Sequence, residues 1–161
     1  MIKDVIVKET KEKGKGVFAL KNFKKGEFIF RSRKGKIIKS KDFPKLPPEE
    51  QEHINQIEKG VFEVQRSPEC FINHSCDPNT IFKGKSAYAL KSIKKGEEIT
   101  TDYRISALDE GWKMKCKCGS KNCIGIVEGD FFTLPPILQK KYLSYAPKFI
   151  QDEYKKRHGG N

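Results

Sequence analysis

The chain has 161 residues, with 33 Lys and Arg against 21 Asp and Glu and a net charge of +12, so it has room for one domain with a small appendage and not for two of full size. Apolar residues make up 36% and aromatics 11%, including eleven Phe, which supports a modest core and argues against a disordered chain. No apolar run exceeds four residues, and Lys and Glu stud the first twenty positions, which excludes a transmembrane helix and a secretory signal and points to an intracellular protein.

The charge is unevenly placed. Residues 1–45 hold 15 bases and 5 acids, residues 46–110 hold 8 and 12, and residues 111–161 hold 10 and 4, for segment charges of +10, −4 and +6. The basic first and last thirds suit an anionic partner such as nucleic acid, or a solvated Lys-rich surface. The acidic middle is where a basic peptide would be tolerated.

In chain order, the first strong pattern is an echo. Residues 16–30 (GVFALKNFKKGEFIF) and 86–100 (SAYALKSIKKGEEIT) match at eight of fifteen positions, seventy residues apart. Each alternates apolar and polar residues, turns at Lys-Lys-Gly-Glu and enters a second strand, which predicts two similar β-hairpin-like units. Pro47-Pro48-Glu49-Glu50 then predicts a helix running through Ile54 and Ile57 and stopping near Gly60. Residues 105–115 carry few core signals and read as a connector. Pro135-Pro136 opens a further helix, with Leu138, Tyr142 and Tyr145 on one face. Pro147 starts another, which frays into the basic C-terminus. The chain is thus strand-rich to about residue 103, with a cysteine-bearing segment and a helical tail beyond.

Three motifs carry chemistry. Five Cys is an odd number, and three of them crowd into residues 116–123, a pattern of metal or thiol chemistry in a reducing compartment. Cys116, Cys118 and Cys123 have the spacing to wrap one Zn²⁺, with Gly119 permitting the tight loop. A structural zinc wants four ligands, so the fourth must come from elsewhere, from Cys70, Cys76 or His74. The second motif is Asn73-His74-Ser75-Cys76-Asp77-Pro78-Asn79; taken singly, an Asn-His pair is most often a turn or a satisfied core pair. The third is Gly96-Glu97-Glu98-Ile99-Thr100-Thr101-Asp102-Tyr103, a strand ending in a Tyr that is by itself structural.

In this order the three motifs resemble a SET-domain protein lysine methyltransferase with a post-SET zinc motif, and Gly14-Lys15-Gly16-Val17-Phe18-Ala19 matches the glycine motif near that domain's start. The resemblance covers about residues 4–128. It implies a mainly β, β-clip-like fold of small sheets with a knot-like crossing, divided as a SET domain at 4–104, a connector and post-SET zinc segment at 105–128 and a helical tail at 129–161. It implies S-adenosylmethionine as methyl donor and a lysine of a protein substrate as acceptor, a histone or another basic DNA- or RNA-associated protein. It assigns cofactor contacts to Gly14, Lys15, Gly16, Asn73 and His74, with Val127 near the adenine. It places Cys76 with Cys116, Cys118 and Cys123 around one structural zinc, and it makes Tyr103 the catalytic residue; Asp102 reads as structural.

The chain departs from the family pattern at Cys70, where many relatives carry Arg, and at Thr101, where Phe or Tyr is usual and influences the number of methyls added. The insert between Arg31 and Gln65 is short and Lys-rich, in a region that usually helps choose the peptide. As a lone SET domain the chain suits a prokaryotic or viral source, with a cytoplasmic or nucleoid location; in a eukaryote the same reading implies the nucleus and chromatin. A second class stays open: a non-catalytic, zinc-containing module that binds chromatin or nucleic acid through its positive charge.

Overall fold

The computed structural model describes residues 2–109 and 111–159. In chain order it forms β1 (Val5–Glu9), β2 (Lys15–Ala19), β3 (Phe28–Arg31) and β4 (Lys36–Lys39), then the single-turn helix α1 (Pro48–Gln51) and β5 (Ile54–Glu58). There follow β6 (Val61–Val64), β7 (Asn73–His74), β8 (Thr80–Lys83), β9 (Ser86–Ala89) and β10 (Glu98–Thr101). Last come β11 (Lys113–Lys115), β12 (Ile126–Glu128), α2 (Pro136–Tyr142) and α3 (Lys148–His158). The fold is mainly β, in small sheets with a few short helices, and β11 pairs with β12 around the cysteine-bearing loop.

The chain divides into two compact units. The first takes residues 2–34, 66–102 and 115–126 of the described chain and holds two sheets, ordered β1-β2-β10-β7 and β3-β9-β8. Its core gathers Val5, Val17, Ala19, Phe23, Ile29, Phe30, Ile72, Ala87, Ala89, Ile93 and Ile99. The two echoing segments both feed this core, but they are not hairpins. The first strand of each copy pairs with the second strand of the other: β2 with β10, and β9 with β3, both antiparallel. The bonds at the junctions correspond pair for pair. Ala19 N–H donates to Glu97 O at 3.0 Å and Gly96 N–H to Ala19 O at 2.8 Å, while Ala89 N–H donates to Glu27 O at 2.9 Å and Gly26 N–H to Ala89 O at 2.7 Å.

A pseudo-two-fold axis therefore passes near the isolated bridge between Phe23 and Ile93, equivalent positions that donate to each other at 2.8 and 2.9 Å. The cause of the exchange is burial. Each copy alone presents one apolar edge (Ala19, Phe23, Ile29 or Ala89, Ile93, Ile99), and trading partners puts both edges in one core, where each fully buried large side chain stabilises by about 1.5–3 kcal/mol. Gly26 (φ +82°) and Gly96 (φ +88°) sit at matching turns in the left-handed region that favours glycine.

The second unit takes residues 35–65, 103–114 and 127–159 of the described chain. Its sheet, ordered β4-β6-β5, covers a small core of Ile38, Leu46 and Val64. The helix expected from Pro47 to Gly60 is a single turn, after which the chain enters β5, turns at Gly60 and returns as β6. The β-branched Ile54, Ile57 and Val61 favour a pleated surface, and pairing with β6 satisfies backbone groups that a short exposed helix would leave to water. Residues 105–115 also differ from expectation: Ile105, Ala107 and Leu108 are buried, so this stretch is core and not a bare connector. In the tail, α2 buries Gln139 and Tyr142 while Tyr145 is exposed, and α3 buries Ile150 completely.

Candidate functional site

In the first unit β10 is the hub. It runs antiparallel to β2, with Ile99 opposite Val17, and parallel to β7, with Thr100 opposite Asn73 and Thr101 opposite His74. This register sets the glycine motif and the Asn-His motif on either side of one strand. Asn73 Nδ2 donates to the Lys15 carbonyl at 3.0 Å and to Glu98 Oε1 at 2.8 Å. Glu98 in turn pairs with Lys13. Asn79 clamps the same strand from its other end, donating to Glu98 O at 2.8 Å and accepting from Thr100 N–H at 2.9 Å. Gly14 ends a loop closed by Thr10, whose N–H and hydroxyl both donate to its carbonyl at 2.6 and 2.7 Å.

Gly16 is required by crowding. A Cβ there would lie 2.8 Å from Glu98 Oε1 and from Thr10 Cγ2, and 3.2 Å from Asn73 Nδ2. Gly16→Ala should push the Glu98–Asn73 pair apart, lowering stability by about 1–3 kcal/mol. It should also weaken binding of the S-adenosylmethionine that the resemblance implies, about tenfold by calorimetry, with the loss in affinity tested against Val17→Ala as a merely destabilised control. Equal affinities for the two variants would separate Gly16 from ligand binding.

The thiols lie in the same unit. Among the described residues, the sulfur atoms of Cys76, Cys116, Cys118 and Cys123 all fall within 4.8 Å of one another, and the Cys76 and Cys116 sulfurs are 3.8 Å apart. A zinc tetrahedron with Zn–S bonds of about 2.3 Å has edges of about 3.8 Å, so the donor set fits Zn²⁺ in number, chemistry and spacing. Of the three candidates for fourth ligand, Cys76 is in the cluster, while Cys70 and His74 are outside it. The His74 side chain is fully buried beside it, with Nε2 3.4 Å from Cys76 Sγ and Nδ1 3.7 Å from the buried Asp102 carboxylate. That burial leaves any cofactor contact by His74 to its backbone.

Burial raises the Cys118 thiol, but the Ser120 hydroxyl at 3.2 Å, backbone donors at Cys76 and Ser120 and the Cys116 thiol outweigh it and bring it down to about 6. Burial pushes Cys76 and Cys116 above the ordinary thiol range, with neighbouring thiols adding to the effect at Cys116. A bound cation is the usual means of ionising such a set together. Four thiolates around Zn²⁺ carry a net charge of −2, and Lys115, Lys117 and Lys121 alternate with the cysteines to offset it. Lys117 also ties the loop to the N-terminal region by donating to Glu12 O at 3.0 Å.

Tyr103 and Val127 belong to the second unit. Tyr103 opens the 3-10 turn Tyr103–Ser106, one residue after the end of the strand that carries Glu98. Its ring meets Trp112 edge-on, with centroids 6.3 Å apart and planes at 76°. The Trp112 indole covers Gly129, where a Cβ would fall 2.4 Å from Nε1, and Gly129 N–H donates to Trp112 O at 3.0 Å. The segment after Tyr103 is tied to β5: Ser106 Oγ donates to Asn55 Oδ1 at 2.9 Å and Leu108 N–H to Gln56 Oε1 at 2.8 Å. Val127 is fully buried as a core residue of β12. Glu98, Asp102 and Trp112 were absent from the sequence-derived set of binding and catalytic residues. Glu98 and Asp102 both stand in the third motif, where Asp102 reads as structural and Glu98 is the second of a doubled Glu whose first acid, Glu97, serves the turn by accepting from Lys94 N–H.

A family model described as "SET domain" matches residues 14–104. The "Variant-silencing SET domain-containing protein" of Plasmodium falciparum (isolate 3D7) is 33% identical over 144 residues, covering 76% of this chain and 6% of that protein. The "Histone-lysine N-methyltransferase, H3 lysine-36 specific" of Saccharomyces cerevisiae is 32% identical over 142 residues, covering 78% of this chain and 19% of that protein. The chain thus spans a small part of the length of these relatives. Among solved structures, the methyltransferase domain of human histone-lysine N-methyltransferase SETMAR superimposes with a TM-score of 0.61 at 22% identity, over 77% of this chain and 57% of that one, a likeness of fold.

Proposed function

The chain belongs to the SET-domain family, and from that premise we propose that it transfers a methyl group from S-adenosylmethionine to a lysine side chain of a basic protein, a histone or another protein associated with DNA or RNA. In this reading residues 4–104 form the catalytic domain, 105–128 the connector and zinc segment, and 129–161 a tail. The observation that carries it is the Asn73 amide. Its nitrogen is spent on Lys15 O and Glu98 and lies 3.2 Å from where a Gly16 Cβ would fall, while its Oδ1 has no donor among the described residues. Gly14, Lys15, Gly16, Asn73 and the His74 backbone would hold the cofactor, and the four thiols would hold one structural zinc, closed to catalysis because no coordination position is left.

S-adenosylmethionine, when bound, supplies the methyl group on a cationic sulfonium. The chain must then present a neutral amine. A free lysine has a pKa of ~10.4, so neutralising it at pH 7 costs about 4–5 kcal/mol. An apolar channel and a nearby positive charge lower that cost by desolvation and repulsion. Alignment supplies most of the rest. Tyr103 is assigned to hold the amine through its hydroxyl, and the proton passes to water.

The relatives named for histone lysines support a histone-like substrate, and in a eukaryote the same reading places the protein on chromatin in the nucleus; in a prokaryote it places it in the cytoplasm or nucleoid. None of the described helices is long and apolar enough to cross a membrane. Incubating the chain with labelled cofactor and a mixture of basic proteins should put label on lysine, located by mass spectrometry. Binding of the mixture with no label transferred would favour the non-catalytic chromatin or nucleic-acid module instead.

A further inference from the structure

The pseudo-two-fold axis of the first unit has a surface as well as a core. Around the Phe23–Ile93 bridge the echoing segments expose Lys21, Lys24 and Lys25 from one copy and Lys91, Lys94 and Lys95 from the other. The antiparallel bridge sets the segments side by side, and Lys95 N–H donates to Asn22 Oδ1 at 2.7 Å. Lys21 is committed to Glu27 at 2.9 Å and Asp4 at 3.7 Å, and Lys91 to Asp77 at 2.7 Å. The acids of the turns face the backbone: Glu27 accepts from Lys24 N–H at 2.8 Å, and Glu97 from Lys94 N–H. The ammonium groups of Lys24, Lys25, Lys94 and Lys95 make no ion pair or hydrogen bond among the described residues. Like charges gathered without direct ion-pair partners destabilise a fold. The lysines of the cysteine loop have a local reason in the charge of a metal thiolate cluster; these four make no ion pair among the described residues, and the one acid that Lys24 acts on at longer range, Glu27, is already held by Lys21 and the turn backbone.

We infer that this face binds the sugar-phosphate backbone of a double-stranded nucleic acid without regard to sequence. Two lysine pairs related by a two-fold match the chemistry and the symmetry of a duplex, whose strands are related by local two-fold axes, so that each pair meets the phosphates of one strand. An acidic protein or a single strand offers negative charge without that symmetry. The inference does not depend on the proposed methyl transfer, because the patch includes none of the residues assigned to cofactor, zinc or catalysis.

The test is fluorescence anisotropy of the full chain with a DNA duplex of about two helical turns, titrated between about 50 and 200 mM salt. The variant Lys24→Gln/Lys25→Gln/Lys94→Gln/Lys95→Gln should lower affinity at least tenfold at the low-salt end and reduce the slope of log K against log salt by about 3.6, for four phosphates lost. Each pair variant, Lys24→Gln/Lys25→Gln or Lys94→Gln/Lys95→Gln, should take about half of that reduction. These pair variants also carry the test if the quadruple variant fails to fold by circular dichroism. A control of equal charge change, Lys36→Gln/Lys41→Gln/Lys140→Gln/Lys155→Gln, should have less than half the effect. An RNA duplex run in parallel identifies which duplex the face prefers. Equal losses in patch and control, one pair carrying the whole effect, a single strand bound as tightly as duplex, or tighter binding to polyglutamate of equal charge would each overturn the inference.

Discussion

A Cys76→Ser chain should carry less than about 0.2 zinc per molecule by mass spectrometry of the metal, where the unaltered chain carries about one. Serine does not ionise at neutral pH and offers zinc no thiolate. Cys76 is also the one member of this four-thiol cluster outside residues 116–123, so it closes the longest circuit. A metal bridging Cys76 and Cys116 ties together positions 40 residues apart. Constraining a loop of that length is worth about 4 kcal/mol by the chain-entropy relation used for disulfides. For a chain of this size that corresponds to a fall in thermal midpoint of about 8–16 °C.

Chelation of the unaltered chain should reproduce the shift, and Cys70→Ser should leave both metal and midpoint in place, since Cys70 lies outside the cluster. Should Cys76→Ser fail to fold, Cys123→Ser provides the same reading from an exposed position, as faster loss of metal to a chelator. A Cys76→Ser chain with a full complement of zinc would exclude Cys76 as a ligand.

Particular residues show how much of this was legible in the sequence. The echo announced two similar units, and the similarity is real, but adjacency along the chain suggested hairpins where the fold exchanges strands. Alternation at Ala19, Phe23 and Ile29 tells which side of a strand is buried; it does not tell which strand lies alongside, because that is set by sharing one core across seventy residues. Pro47 and Glu49 did start a helix, yet Ile54 and Ile57 belong to a hairpin that turns at Gly60 into Val61–Val64, a signal of β-branched residues around a turn glycine that the helix start outweighed. Ile105, Ala107 and Leu108 were passed over because three apolar residues among polar ones show neither period, and their burial depends on anchors at Asn55 and Gln56, fifty residues earlier.

The thiol cluster was more legible, since three ligands lie within eight residues and the chemistry of zinc demands a fourth. The network around Asn73 was half legible. Asn73 and Gly16 stand in recognisable motifs, whereas Glu98 joins them only because β10 runs between β2 and β7, a matter of topology.

Tyr103→Phe should lower the rate of methyl transfer by on the order of 10²–10³ while leaving the fold and cofactor affinity in place. The substitution removes one oxygen. The ring contact with Trp112 and the anchors of the following turn to Asn55 and Gln56 are untouched, so the thermal midpoint should move by no more than about 2–4 °C, the worth of one hydrogen bond in a chain of this size. Calorimetry with S-adenosylmethionine should give the same dissociation constant within about threefold.

The pH profile then separates two roles for the hydroxyl. Only the neutral amine reacts, so the rate should rise with pH toward the lysine pKa of ~10.4, lowered by whatever the channel contributes. If Tyr103 only positions the amine, the phenylalanine variant keeps that rise at a lower level throughout. Were Tyr103 the base, the variant would lose the part of the rise that reports ionisation of its hydroxyl. Near-full activity with unchanged cofactor affinity would remove Tyr103 from the reaction altogether, and an unchanged rate at saturating cofactor with weakened cofactor binding would move its contribution from the amine to the donor.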